Sequence, residues 1–228
     1  MTDRSPAPLA ASPLEPRLER QADFDQALDR LLALDPRLAP LVDFAGRPAL
    51  RRRAPGFAGM MAIVVAQQLS VAAARSISAR LDLLFGGPAT PDALLAATPE
   101  QLRAAGLSAP KIRTLTGIAR DLVSGAVDLH AVAHMEADAA AAYLTKLPGI
   151  GLWSADIYLL FCLGRADAFP HGDLALQVAA GEAFDLPGRA SALGLWAIAE
   201  DWRPYRGVAA QVLWAYYGAK RARAGVPT

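Results

Sequence analysis

Three carboxylates lie close together in the second half of the chain: Asp156, Asp167 and Asp173. A fixed carboxylate can stabilise a developing positive charge, and it can orient or deprotonate a water. Asp156 sits between Ala155 and Ile157 on an apolar stretch, where a cap or an ion pair would account for it. Asp167 falls in the turn Gly164-Arg165-Ala166-Asp167, where aspartate is common for reasons of turn geometry. Asp173 follows Phe169-Pro170-His171-Gly172, and His171 reads as a turn residue. By residue type and spacing the three stand level. The single cysteine, Cys162, lies in the run Leu159-Leu160-Phe161-Cys162-Leu163 and reads as a small buried hydrophobe. One cysteine makes neither an internal disulfide nor a four-cysteine zinc or iron–sulfur site.

The segment Tyr143 to Ala155 carries the most local information. A helix should end near Lys146, a tight turn should follow, and a second helix should begin at once. The string Leu147-Pro148-Gly149-Ile150-Gly151 forms that turn, and the whole hairpin spans about 137–163. Its glycines allow unusual φ and let a partner approach the backbone closely. The second helix opens with unpaired N–H groups and the positive end of its dipole. Such a start binds an anion, of which a DNA phosphate is the obvious one.

These residues must be held by helices. Phe24, Leu28, Leu31 and Leu32 form one apolar stripe, and Ile112, Leu115, Ala119 and Leu122 form another. Phe57 to Phe85 reads as two helices in tandem, broken near Gln68-Leu69-Ser70. Thr98-Pro99-Glu100-Gln101 is a capping box with proline at the first helical position. Further helices are expected over 137–146, 152–163, 173–184, 189–201 and 205–219, and no strand is expected. Short Gly/Pro punctuation between many helices predicts an all-α fold, a compact two-lobed helical bundle over 21–228. A loose arm is expected over 1–20, where Pro6, Pro8, Pro13 and Pro16 crowd together.

The chain has 228 residues, 54% of them hydrophobic, which excludes a disordered class. Its net charge of +1 means that any nucleic-acid face must be local. No apolar run is long enough for a membrane helix and no signal pattern opens the chain, so the expected location is the cytoplasm, with the nucleoid.

The hairpin with Trp153-Ser154-Ala155 behind it, and an aspartate about two dozen residues on, resembles the helix-hairpin-helix DNA glycosylases. Ile63 to Ala74, Gly106-Leu107-Ser108 with Lys111-Ile112-Arg113, and Trp202-Arg203-Pro204-Tyr205-Arg206 before a helix holding Trp214 are similar to the 3-methyladenine DNA glycosylase II branch. The resemblance covers roughly 55–219. It implies hydrolysis of the N-glycosidic bond of a flipped-out base in double-stranded DNA, through a transition state with positive charge on the sugar. A cationic alkylated purine leaves as a neutral molecule and needs no proton.

The resemblance selects Asp173 among the three carboxylates. It assigns Gly149, Ile150 and Gly151 to the phosphate, and Gln68 with Leu69 to the wedge that fills the vacated stack. Trp153 and Trp202 fall to the base pocket. Trp153 stands where lyase-active members carry a nucleophilic lysine, which implies water as nucleophile and no lyase activity. The carbonyls of Thr145, Leu147 and Ile150 would hold a monovalent sodium or potassium ion; no other cofactor is implied. A monomer is expected. Leu174 and Ile157 stand where some relatives place tyrosines, and the extra N-terminal β domain of some relatives is not expected. The competing readings are a DNA-binding protein without catalysis, and a glycosylase for oxidised or mismatched bases, whose members bring the lysine or an iron–sulfur cluster.

Overall fold

A computed structural model describes residues 15–225. Among the described residues the regular elements are helical, and the one β contact is an isolated bridge between Arg17 and Arg165. The helices are α1 (Gln21–Leu34), α2 (Ala39–Ala45), α3 (Gly56–Ala66), α4 (Val71–Phe85), α5 (Pro91–Ala96), α6 (Pro99–Ala104), α7 (Ala109–Val123), α8 (Ala137–Leu144), α9 (Leu152–Ile157), α10 (Leu174–Ala183), α11 (Ala192–Ala199) and α12 (Arg206–Arg223).

Local chemistry explains several of the starts. Ser70 and Thr90 accept the N–H groups of Ala73 and Ala93, capping α4 and α5. The predicted capping box forms: Thr98 N–H donates to Gln101 Oε1 at 2.8 Å, and Gln101 N–H returns to Thr98 Oγ1 at 3.3 Å. The break between α3 and α4 falls at Gln67–Ser70, as the sequence predicts.

Two lobes result. Helices α1, α2 and α12 pack together with α10, so the two ends of the chain build one lobe. Helices α3 to α7 build the other. The stretch after α9 links them. It widens into a π-helical turn, Tyr158–Cys162, whose residues are all buried. The Tyr158 hydroxyl accepts the Gly56 N–H at 2.8 Å and the Phe161 carbonyl accepts from Arg53 at 2.9 Å, which fixes the start of α3. The sequence predicts an ordinary helix over 152–163. The wider turn appears where consecutive apolar side chains must serve both lobes.

Several expectations need correction. The arm over 1–20 is docked from Glu15 onward. Leu18 is buried, its N–H donates to the Gly164 carbonyl at 2.7 Å, and Glu15 pairs with the buried Arg165 at 3.1 Å. Residues 1–14 lie outside the described residues. Trp202 is not a pocket residue. It is fully buried, its indole N–H donates to Asp35 Oδ2 at 2.8 Å, and its ring packs on Phe169 and Phe184. The Arg37 guanidinium bonded to Asp35 holds that carboxyl below its usual range against the cost of burial. Asp167 is a buried ion-pair partner rather than a mere turn residue. Both its oxygens accept from the Arg206 guanidinium, at 2.9 and 2.8 Å, and Arg203 adds a third contact at 2.8 Å.

Asp167 and Gly207 together seat α12. The Gly207 N–H donates to the Ala166 carbonyl at 2.7 Å. A Cβ there would lie 2.7 Å from the Ala168 carbonyl oxygen and 2.8 Å from that of Ala166. Gly207→Ala should therefore lower stability by about 1–3 kcal/mol, as overpacking against fixed backbone does. A reduced urea midpoint at unchanged m-value is the expected result, and an unchanged midpoint would refute the close approach.

Candidate active site and DNA interface

The hairpin takes the expected form. Ile150 N–H bonds the Leu147 carbonyl at 3.1 Å across the turn. Gly149 adopts φ +74°, and a Cβ on it would meet Thr114 Oγ1 at 2.4 Å. Glycine is thus required twice over, by conformation and by space. Gly151 is different: its φ is −92° and no atom lies within 4 Å of an added Cβ. It faces solvent, as do Leu152 and Gly149. Among the described residues the N–H groups of Gly151, Leu152 and Trp153 bond no backbone acceptor, which leaves a row of donors at the start of α9. Ile150 itself is buried and contributes its backbone.

Of the three carbonyls expected to hold a monovalent cation, those of Thr145 and Ile150 accept no backbone hydrogen bond among the described residues, while that of Leu147 takes the Ile150 N–H. No group of three or more His, Cys, Asp or Glu among the described residues is placed to hold a metal ion.

The hairpin is tied to the α3–α4 turn. Gln67 Nε2 donates to the Gly149 carbonyl at 3.1 Å and to Ser154 Oγ at 2.9 Å. Lys111 Nζ caps the end of α3, donating to the carbonyls of Val65 at 2.7 Å and Gln67 at 2.9 Å. Burial pushes the Lys111 ammonium below its usual pKa. Between these anchors Gln68 stands at φ +57°, a conformation that non-glycine residues seldom adopt. Gln68 and Leu69 are exposed side by side. Neither anchor is visible in the sequence as an anchor; Lys111 has the type and the local motif, but its target is a backbone brought close only by folding.

Asp173 is the N-cap of α10, and its Oδ1 accepts the Leu176 N–H at 3.1 Å. Two indoles complete its surroundings. Trp153 Nε1 donates to Oδ2 at 2.8 Å and Trp214 Nε1 donates to Oδ1 at 3.2 Å. One tryptophan comes from α9 and the other from α12. Trp153 was expected to offer its face to a base; its N–H is committed to the carboxylate, and only its ring remains free for stacking. Trp214 takes the place in the site that the sequence assigns to Trp202. The signal was present, since Trp214 lies on the closing apolar helix, but its register toward Asp173 depends on the seat at Gly207.

Behind Trp214 stands Phe161, stacked at 5.7 Å and 29°. The Arg51 guanidinium lies over both rings, 5.1 Å from Phe161 and 5.6 Å from Trp214. His171 packs its ring 4.9 Å from Trp196 and its carbonyl accepts from Gln177 at 3.1 Å, in keeping with a turn role. Leu174 is exposed beside Asp173 and Ile157 is buried.

Asp156 departs from expectation. Among the described residues it makes no ion pair and caps nothing; burial pushes its carboxyl up to about 7, with the Arg206 charge opposing. It lies on α9 one turn beyond Trp153, on the way to Leu160, whose side chain borders Gly207.

A family model described as the helix-hairpin-helix GPD superfamily of base excision DNA repair proteins matches residues 61–200. The chain belongs to this superfamily. Among curated relatives, a probable bifunctional transcriptional activator/DNA repair enzyme AlkA of Mycobacterium tuberculosis is 34% identical over 87% of the chain and 41% of its own length. DNA-3-methyladenine glycosylase 1 of Schizosaccharomyces pombe is 29% identical over 88% of the chain and 91% of its own length. The chain spans 41% to 56% of the length of the first curated relatives it matches. Among solved structures, a DNA-3-methyladenine glycosidase of Bacillus halodurans superposes with TM-score 0.74 at 31% identity, covering 86% of this chain and 91% of that one. The S. pombe glycosylase bound to abasic DNA gives 0.77 at 28% identity, covering 83% and 95%. An 8-oxoguanine glycosylase/lyase of Clostridium acetobutylicum, at 17% identity and TM-score 0.71, shares the fold. No described helix is long and apolar enough to cross a membrane.

Two outcomes check the site. Gly151→Val should leave the melting temperature unchanged and weaken binding to abasic-site DNA, because open space accepts the side chain and a phosphate does not; unchanged affinity would remove the hairpin from the interface. Asp156 has a folded pKa above the unfolded one, so the folded state holds the extra proton between the two values. Its contribution is most favourable below pH 4 and is lost as pH rises toward about 7. Asp156→Asn should therefore gain stability relative to wild type at pH 8, with the difference shrinking toward pH 4. A difference independent of pH would contradict the burial of this carboxyl.

Proposed function

We propose that the chain is a monofunctional DNA glycosylase that excises alkylated purines from double-stranded DNA. The observation that carries this reading is Asp173, with both carboxylate oxygens fixed by the indoles of Trp153 and Trp214. In this reading the hairpin at Gly149, Ile150 and Gly151 holds a backbone phosphate through the N–H groups of Gly149 and Gly151, while the Ile150 N–H, bonded to Leu147, closes the turn. Gln68 or Leu69 enters the stack when the damaged nucleotide turns out. The base then lies against the tryptophan pair, and the anionic carboxylate faces the sugar as positive charge develops. Water completes the hydrolysis, oriented by the same carboxylate. Thr145, Leu147 and Ile150 would hold a monovalent cation through their carbonyls, stiffening the turn that meets the phosphate. The chain would act as a monomer and in the cytoplasm.

The names of the relatives support the substrate class, since several are 3-methyladenine glycosylases. The use of water is supported by the lysines. Lys111 is engaged with two backbone carbonyls, Lys220 pairs with Glu182 at 3.1 Å, and Lys146 is exposed before the turn. None replaces Trp153 at the carboxylate.

The direct test is release of bases from methylated genomic DNA, with the products separated by chromatography. The wild-type chain should release 3-methyladenine or 7-methylguanine. Asp173→Asn keeps an oxygen for the Leu176 N–H and the cap, and should lose release by about 10³-fold, on the scale of removing a preorganised charge interaction, while abasic-site DNA still binds. Near wild-type release by the variant would refute the assignment of Asp173. Abasic sites should remain uncut, and a borohydride-trappable adduct would refute the monofunctional reading.

A further inference from the structure

Three arginines, Arg51, Arg52 and Arg53, precede α3. Arg52 donates to the Cys162 carbonyl at 3.2 Å, and the Arg53 N–H donates to the Phe161 carbonyl at 2.9 Å. Arg51 differs. Among the described residues its guanidinium bonds no acceptor and pairs with no carboxylate; its neighbours are the Phe161 and Trp214 rings. The distances of 5.1 and 5.6 Å to the ring centres, with the rings themselves 5.7 Å apart, make a near-equilateral triangle. The cation therefore fills the notch between the two rings, and Trp214 is the ring whose N–H holds Asp173.

We propose that Arg51 sets the charge selectivity of the base pocket, biasing release away from cationic purines and toward uncharged base adducts. The inference rests on the glycosylase reading and goes beyond it in substrate class. A base brought beside Asp173 must meet Trp214. A cationic base is attracted to an indole by its negative π-face. Arg51 already draws on that face, and its own positive charge repels a second cation. Repulsion between like charges near a protein surface is moderate, and salt weakens it. The Arg51 side chain is exposed, and Arg53 adds a second positive charge nearby. An uncharged purine adduct meets no such repulsion and stacks on the same ring.

The test compares single-turnover release from two otherwise identical duplexes, one with cationic 7-methylguanine and one with uncharged hypoxanthine or ethenoadenine. Arg51→Gln should raise the ratio of cationic to uncharged release by about tenfold, the scale of one close like-charge contact near the protein surface. Arg51→Met, which keeps the apolar stem over the rings, should do the same, and Arg51→Lys should keep the wild-type ratio. An unchanged ratio in Arg51→Gln and Arg51→Met overturns the inference. So does an equal fall in both rates with a shallower salt dependence of DNA affinity, which would make Arg51 a phosphate contact. If the wild-type chain releases none of these bases, the glycosylase reading fails first, and the inference with it.

Discussion

The grip of two indoles on one carboxylate is the interaction on which the rest depends. Asp173 is held from α9 by Trp153 and from α12 by Trp214, while its own backbone starts α10. Three helices distant in sequence meet at one side chain. Each donor is an N–H, so together the two indoles restrict the rotation of the carboxylate. A carboxylate fixed in this way needs no reorganisation when positive charge appears before it, which is the basis of electrostatic catalysis. The geometry of the bundle can be read backward from this need. Gly207 lets α12 approach the 166–168 backbone, and the Arg206–Asp167 pair locks its first turn. Without that seat Trp214 would not reach Asp173.

The second dependency runs from the hairpin to the α3–α4 turn. Gln67 joins them, and Lys111 closes the end of α3 beneath. A residue at positive φ costs backbone energy unless its surroundings fix it. Gln68 is flanked by those two anchors, so its exposed side chain is presented at a set distance from the hairpin. The surface that would hold the phosphate and the surface that would enter the base stack thus move as one body.

The helices and the hairpin were legible in the sequence because they rest on local rules. The capping box at Thr98, the break at Gln68 and the glycine turn all follow from nearby residues. The resemblance to known glycosylases singled out Asp173, which chemistry alone left level with Asp156 and Asp167. The misassignment of Trp202 has a physical cause. Tryptophan marks both cores and pockets, and the choice turns on which N–H partner folding supplies: Asp35 for Trp202, Asp173 for Trp214. Gln67, Lys111 and Arg51 were opaque for a related reason. Their partners are backbone carbonyls and aromatic faces separated by tens of residues, and such contacts leave no pattern in spacing. The docking of 15–20 was hidden likewise, because its partners lie at 163–166.

The most direct test of the indole grip is the single-turnover release rate of Trp153→Phe beside its affinity for abasic-site DNA. Phenylalanine keeps one aromatic ring in the pocket and removes the N–H to Asp173 Oδ2 with the pyrrole part of the indole. Loss of a hydrogen bond to a charged group, on the order of 1.5–3 kcal/mol, predicts release slower by about tenfold to a hundredfold with DNA affinity unchanged. Release at the wild-type rate would contradict the claim that the two indoles hold the carboxylate for catalysis.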